Sequence, residues 1–251
     1  MARPPHTLIL FDIDGTLVDC GTAAGKSFSR AFHEAFGVAC PIFSPQEVAG
    51  WTDGAILAEV VRKLSLRCED FDQRRSRAFE IYARRLAEKL ALSPARELPG
   101  AGKAVQAVGG ILGCATGLLT GSTEATARIK LESAGIDFRQ FACGAYSEDG
   151  DARESLPPAA RVRFAGLFGQ EPSRTIVIGD TPRDVQAALA TGCDFIGVAT
   201  GHYDRVSLEK AGAGMVLNDL TEIDSLCKAV ENLSRVRRGR KNFSCFLFPL
   251  V

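Results

Sequence analysis

Two carboxylates, Asp12 and Asp14, follow the apolar run at residues 8–11 and precede Gly15. If that run is a buried strand, Asp12 emerges at its carboxyl end and Asp14 lies on the departing loop, because successive side chains of a strand point to opposite faces. One carboxylate could then attack a substrate while the other moves protons, provided that a cation keeps both ionised. The same residues are also typical of an ordinary solvated turn beside a glycine. An active-site role for Asp12 and Asp14 therefore needs support from other parts of the sequence.

Polar residues also follow later apolar runs. Thr120 comes directly after residues 114–119, Asp180 follows residues 175–179, and Arg153 lies in a polar loop. In an open α/β sheet, ligands bind outside the carboxyl ends of the strands, so these groups are expected to converge on one crevice. Carboxylates that face one point raise each other's pKa unless a cation neutralises them, and hard oxygen ligands suit Mg²⁺. The strand ends therefore predict a site for a metal ion and a phosphate.

The elements that must position these residues alternate between helix and strand after Pro99. This alternation predicts an α/β fold, a Rossmann-like parallel sheet with crossover helices. Helices are expected at residues 101–109, before Gly135, and from an N-cap at Ser155 to about Phe168. The predicted strands are residues 7–11, 114–119, 141–144, 175–179, 195–199 and 215–217.

A nearly pure helical pattern runs from Thr22 to about Leu92. Apolar residues recur at helical spacing in three segments, at residues 28–36, 56–64 and 79–90. This pattern predicts a small all-helical cap domain, inserted after the first strand and joined by two hinges. We expect the cap to span residues 17–96 and the α/β core to span residues 1–16 and 97–234.

Composition excludes several classes of protein. Lys and Arg total 30 and balance Asp and Glu at 30, which argues against nucleic acid as the main partner. The eight cysteines include no C-x-x-C pair, so reduced thiols are favoured over a disulfide framework or a zinc site. The N-terminus lacks the pattern of a secretory signal, and no run of 18 apolar residues exists. We therefore expect a cytoplasmic protein without stable membrane insertion; its oligomeric state is not predicted.

The C-terminal tail, residues 235–251, combines a basic cluster with an apolar end. Such a segment could contact anionic lipid, but its apolar part is too short to span a bilayer. A flexible or loosely docked terminus is the interpretation that we favour.

Three parts of the chain resemble motifs of the haloacid dehalogenase superfamily. They are residues 12–16 (Asp-Ile-Asp-Gly-Thr), Thr120, and residues 179–184 (Gly-Asp-Thr-Pro-Arg-Asp). The helical insert resembles the smaller cap of that superfamily. Residues 50–57 and 179–201 are most similar to members of the phosphoglycolate-phosphatase type.

The resemblance implies a Mg²⁺-dependent phosphatase that acts on a small phosphorylated metabolite. Asp12 would be the nucleophile that becomes an aspartyl-phosphate, and Asp14 the general acid and base. Thr120 and the backbone of Gly121 would bind the phosphoryl group. Mg²⁺ would be held by Asp12, the backbone carbonyl of Asp14, and Asp180.

The third motif of the superfamily usually presents a lysine, but residues 147–154 contain none. Arg153 is the cation in the matching place. Lys130, on the helix that follows Thr120, is the fallback. An arginine can neutralise and bind phosphate, although its geometry differs from that of lysine. Asp184 suits a partner of the metal or of this cation, and also the first turn of a helix capped by Thr181.

Substrate selection is expected in the cap, where Trp51, Thr52, Lys26 and Arg30 are candidate contacts. His33 is interpreted as a core residue, on the same face as the phenylalanines of its helix. The second carboxylate, Asp14, favours phosphate esters over alkyl halides. A sugar-phosphate mutase and a non-catalytic binding or scaffold relative remain the alternatives.

Overall fold

The computed structural model describes residues 4–41 and 43–235. The predicted tail therefore lies outside the described residues, apart from Arg235. The strands of the described part are β1 (Thr7–Phe11), β2 (Val18–Asp19), β3 (Arg96–Glu97), β4 (Cys114–Leu119), β5 (Cys143–Ala145), β6 (Arg174–Gly179), β7 (Asp194–Val198) and β8 (Val216–Leu217).

Ten helices belong to the same described residues. They are α1 (Ala23–Phe36), α2 (Pro45–Val48), α3 (Asp53–Lys63), α4 (Phe71–Leu92), α5 (Ala101–Gly109), α6 (Glu124–Ser133), α7 (Leu156–Phe168), α8 (Pro182–Ala190), α9 (Arg205–Ala211) and α10 (Ile223–Ser234). None of the helices in this part of the chain is long and apolar enough to cross a membrane.

Six strands form one sheet in the order β5-β4-β1-β6-β7-β8, and every pair is parallel. The strand β1 lies between β4 and β6, and Phe11 is opposite Leu118 on one side and Ile178 on the other. The three strands therefore end at the same edge of the sheet. The predicted parallel α/β sheet is confirmed.

Two hydrophobic layers enclose the sheet because alternate residues of β1 point to opposite faces. Ile9 and Phe11 pack with apolar residues of α5, α6 and α10, whereas Leu8 and Leu10 pack with those of α7, α8 and α9. All four of these β1 side chains are fully buried. Burial on both faces explains why the strand is a continuous apolar run instead of an alternating one.

Between β2 and β3, the helices α1 to α4 form what we call the helical insert, with a hydrophobic core of its own around Phe32, Leu57, Tyr82 and Leu86. The ends of this insert pair with each other as a short antiparallel ribbon, in which Val18 is opposite Glu97. The ribbon was not predicted, because two-residue strands are too short to show a periodic pattern.

Three local predictions were wrong. The last helix of the insert begins at Phe71, not at residue 79, because its first turns are mostly polar and show little apolar periodicity. The short strand predicted at 141–144 lies at Cys143–Ala145. Ser155 does not cap α7: it already has helical backbone angles after a 3₁₀ turn, and its hydroxyl donates to the carbonyl of Ala152 at 2.7 Å.

The cysteines in the described residues are free thiols, as the absence of a paired pattern indicated. The eighth, Cys245, lies outside the described residues.

Candidate active site

The carboxyl ends of β1 and β4 continue their hydrogen-bond ladders by one residue. The N–H of Asp12 donates to the carbonyl of Ile178 at 2.9 Å, and the N–H of Thr120 donates to the carbonyl of Ala145 at 3.0 Å. Both side chains are buried, with exposures of 5% for Asp12 and 1% for Thr120. The ladders therefore hold Asp12 and Thr120 at one edge of the sheet.

Arg153 connects three groups at this edge. Its guanidinium donates from Nη2 to Asp12 Oδ1 at 2.6 Å, from Nε to Asp184 Oδ1 at 2.9 Å, and from Nη2 to the carbonyl of Leu119 at 3.1 Å. Burial acts to lower the pKa of Arg153, but the carboxylates of Asp184 and Asp12 outweigh it, and the pKa is raised. Arg153 is therefore a fixed positive charge between two carboxylates, in a geometry that the fork of a guanidinium permits.

Asp180 lies beside Asp12 and is 2% exposed, and its Oδ1 accepts a hydrogen bond from the hydroxyl of Thr16 at 2.9 Å. Gly15 and Gly201 leave the space for this side chain, because a Cβ at either position would overlap the Asp180 carboxylate. Gly15 also has a φ of +88°, in the left-handed region that favours glycine. Glycine at position 15 is therefore favoured both by the space that the Asp180 side chain needs and by the backbone conformation.

Asp12, Asp180 and Asp184, which we call the acidic cluster, each place a carboxylate oxygen within 4.8 Å of the others. Burial raises the pKa of Asp12 to about 7, against the opposing charge of Arg153. Burial and the neighbouring Asp12 also raise the pKa of Asp180 well above its ordinary value. Buried carboxylates this close favour a further cation, and their oxygens suit Mg²⁺.

Asp184 has most of its hydrogen-bonding capacity occupied. Its Oδ2 accepts from the N–H of Thr181 at 3.1 Å and from the Thr181 hydroxyl at 2.7 Å, while Oδ1 accepts from Arg153. Thr181 in turn caps α8, so the two residues form a capping box. The oxygens of Asp12 and Asp180 are therefore more available to a metal than those of Asp184.

Lys130 does not lie beside Asp12, where the fallback prediction would need it. Its Nζ donates to Asp14 Oδ2 at 2.5 Å and to the hydroxyl of Ser122 at 2.7 Å. Although Lys130 is 3% exposed and its burial acts against the charged form, Asp14 leads the nearby groups that raise the pKa of Lys130 well above its usual value. The site thus has two cations, and each binds a different aspartate of the first motif.

Residues 51–54 of the helical insert, which we call the docking segment, contact the loops at the sheet edge. The N–H of Asp53 donates to the carbonyl of Gly121 at 2.7 Å, and the N–H of Gly54 donates to the Ser147 hydroxyl at 2.8 Å. A Cβ on Gly121 would overlap the carbonyl of Trp51. Glycine at position 121 therefore permits the close approach of the two backbones.

The two predicted substrate contacts of the insert differ in their hydrogen bonds. The hydroxyl of Thr52 donates to the carbonyl of Asp151 at 2.9 Å and accepts from the N–H of Ala55 at 3.1 Å, so its single proton is used. The guanidinium of Arg183 lies over the indole ring of Trp51, 5.1 Å from the centroid. The buried Nε1 of Trp51 has no acceptor among the described residues. Of the two side chains, that of Trp51 therefore keeps a donor without an acceptor in the described part of the chain.

Lys26, Arg30 and His33 are all exposed on α1. The prediction of a core position for His33 was wrong, because Phe32 and Phe36 define the buried face and stack at 4.5 Å. Residue 33 is rotated by about 100° from Phe32 around the helix and faces solvent.

Asp53 was not identified from the sequence as a site residue. It is 8% exposed, and its Oδ2 accepts from the N–H of Thr123 at 3.2 Å. Burial raises its pKa to about 7, with the charge of Lys130 opposing this change. In the sequence Asp53 lies within residues 50–57, and nothing in that segment distinguishes it from an acidic residue in the first turn of a helix, which is common without any function.

The comparison with protein families agrees with this geometry. The family model for a haloacid dehalogenase-like hydrolase matches residues 6–192. The chain therefore belongs to the haloacid dehalogenase-like hydrolase family, and the resemblance predicted from its motifs is confirmed.

Individual relatives extend over nearly the whole chain. The 2-deoxyglucose-6-phosphate phosphatase 1 of Saccharomyces cerevisiae is 28% identical over 249 residues, covering 92% of this chain and 95% of the relative. The phosphoglycolate phosphatase of Chromobacterium violaceum is 26% identical, covering 88% of this chain and 96% of the relative. A solved hydrolase from Pseudomonas syringae shares the fold with a TM-score of 0.66 and 24% identity, covering 90% of this chain and 98% of that one.

Proposed function

We propose that this protein is a Mg²⁺-dependent phosphatase that hydrolyses a small phosphorylated metabolite through an aspartyl-phosphate on Asp12. The observation that carries the proposal is the assignment of one cation to each aspartate of the first motif: Arg153 binds Asp12, and Lys130 binds Asp14. Two neighbouring carboxylates in different environments can perform different tasks. Family membership and the phosphatases among the relatives support the same reaction.

In the first half-reaction, a carboxylate oxygen of Asp12 forms a bond to phosphorus while the bond from phosphorus to the leaving oxygen breaks. Asp14, in its protonated form, transfers its proton to that leaving oxygen. The hydroxyl of Thr120 and backbone N–H groups near Gly121 bind the phosphoryl oxygens. Arg153 holds Asp12 in place and offsets negative charge.

In the second half-reaction, Asp14 is a carboxylate and accepts a proton from the attacking water. The water oxygen bonds to phosphorus, and the bond from phosphorus to Asp12 breaks. Inorganic phosphate leaves, and Asp14 is again protonated for the next substrate.

Mg²⁺ fits the donor set at this edge of the sheet. We propose that Asp12, the backbone carbonyl of Asp14, and Asp180 hold it, with Asp184 acting through Arg153. When bound, the ion supplies positive charge that stabilises the phosphoryl group during transfer.

We further propose that residues 17–96 act as a cap domain that selects the substrate, which would be phosphoglycolate-like or a sugar phosphate, in the cytoplasm. The docking segment closes one side of the site, and Trp51 offers an unpaired N–H within it. The remaining candidates Lys26 and Arg30 are exposed on α1, and Thr52 acts through docking.

The test is phosphate release from a panel of phosphorylated metabolites and an aryl phosphate, with and without Mg²⁺. Asp12→Asn should abolish release, whereas Asp224→Asn, an exposed change on α10, should leave it intact. Undiminished turnover in Asp12→Asn would refute the proposed nucleophile. Conversion of a sugar 1-phosphate to its isomer without phosphate release would support the mutase instead.

A further inference from the structure

A second buried cation, Lys130, binds Asp14 but takes part in none of the steps described above. It lies on α6, 3% exposed, and its charged end reaches Asp14. Arg153 already binds Asp12, so Lys130 is not required for that aspartate. A lysine buried to this degree needs partners for its ammonium, and those partners indicate its task.

The partners of Lys130 form a closed triangle. Its Nζ donates to Asp14 Oδ2 at 2.5 Å and to the Ser122 hydroxyl at 2.7 Å, and that hydroxyl donates to the same Asp14 oxygen at 3.2 Å. Asp14 itself keeps 45% of its side chain exposed. Two donors therefore bind one oxygen of the carboxyl group, and Oδ1 has no hydrogen-bond partner among the residues that the structure describes.

We propose that Lys130, together with Ser122, is a positioning residue that fixes Asp14 for proton transfer through Oδ1. The inference rests on the proposed function and extends it. The proton on Oδ1 moves to the leaving oxygen as the bond from phosphorus to that oxygen breaks and the bond to Asp12 forms. Oδ1 later receives the proton of the attacking water.

Leaving groups of different basicity distinguish this task from a structural one. A weakly basic aryloxide departs without full protonation, whereas an alkoxide needs the acid. A misplaced Asp14 should therefore slow alkyl phosphates much more than activated aryl phosphates. A lysine that only supports the fold would slow both alike.

The variant is Lys130→Met, in which the side chain has a similar length but carries no charge. The matched control is Lys103→Met, on the exposed side of α5. The measurement is kcat/KM in Mg²⁺ for a series from dinitrophenyl phosphate to a simple alkyl phosphate. General acid catalysis contributes about 10² to 10⁴-fold, so we expect a loss of about 10² for the alkyl ester. For the dinitrophenyl ester we expect about threefold or less, and Lys103→Met should match the wild type.

Two further variants extend the test, and the first of them does not change Lys130. Ser122→Ala should shift the leaving-group dependence in the same direction by a smaller amount. In an Asp14→Asn background, Lys130→Met should cause no further loss with the alkyl ester, because both changes act on one step. If Lys130→Met does not fold, the leaving-group dependence of Ser122→Ala decides whether the proposal stands.

Equal losses for all leaving groups, or a change in KM alone, would overturn the proposal while leaving the phosphatase intact. A wild-type protein that releases phosphate from no ester of the series would instead refute the proposed function, and the positioning role with it.

Discussion

The edge of the sheet and the docking segment contribute to one site in different ways. At the edge, Asp12 and Thr120 continue the hydrogen-bond ladders of buried strands, so their positions follow from the core. The docking segment depends on contacts such as those of Thr52 with Asp151 and of Gly54 with Ser147. The sheet and the insert each have a hydrophobic core of their own. Changes at the edge should therefore abolish the chemistry, and changes in the docking segment should alter substrate binding.

After the loss of the nucleophile in Asp12→Asn, the largest effect is expected at Asp180. Asp180→Asn should reduce kcat/KM by about 10³-fold, because the acidic cluster would lose a carboxylate oxygen that we propose as a ligand of Mg²⁺. EDTA should have the same effect on the wild type, and added Mg²⁺ should reverse it. Full activity of Asp180→Asn in Mg²⁺ would place the metal elsewhere.

The same cluster predicts that Mg²⁺ binding depends on pH. Burial raises the pKa of Asp12 to about 7, so its carboxyl binds a proton at pH 6 that a metal must displace, and burial raises the pKa of Asp180 in the same direction. Mg²⁺ affinity should therefore fall between pH 8 and pH 6, with protons released on binding. Calorimetry in two buffers of different ionisation enthalpy measures this release, and an affinity independent of pH would contradict it.

The next-largest loss of activity should come from a change at Arg153. Arg153→Lys keeps the charge but cannot bind Asp12, Asp184 and the Leu119 carbonyl with the same fork. We expect a loss of about 10 to 100-fold in kcat/KM, and a larger one for Arg153→Met. Arg139→Lys, at an exposed ion pair with Asp137, is the control and should be silent.

The docking segment should give a smaller effect of a different kind. Thr52→Val removes the donor to Asp151 and the cap of α3, which costs about 1 kcal/mol of stability. With a metabolite that contacts the insert, KM should rise severalfold, and a small aryl phosphate should be affected less. Thr52→Ser keeps the hydroxyl and should resemble the wild type. Equal effects on both substrates would show that the segment does not select between them.

The contrast also explains what could be predicted from the sequence. The runs 8–11, 114–119 and 175–179 are apolar on both faces, so the sheet and the residues at its edge followed from local patterns. The role of Thr181 as a helix cap was also predicted from a local pattern. The pair of Lys130 with Asp14 joins residues 116 positions apart, and no local pattern indicates it. Asp53 is buried by the contacts between the docking segment and the loops at the sheet edge, and these contacts are also not visible in a local pattern.

The last effect concerns stability and not activity, and it should come from Asp53. Burial raises its pKa from an ordinary value of 3.8 to about 7, so the folded protein binds an extra proton between these values. The stabilisation is complete below pH 4 and is lost as the pH rises through 7, when a buried carboxylate must ionise. Asp53→Asn removes this dependence. Its stability relative to the wild type should therefore increase between pH 5 and pH 8, by on the order of 2 kcal/mol. Urea unfolding without Mg²⁺ measures the difference at both values, and a difference that does not change with pH would show that Asp53 stays ionised beside Lys130.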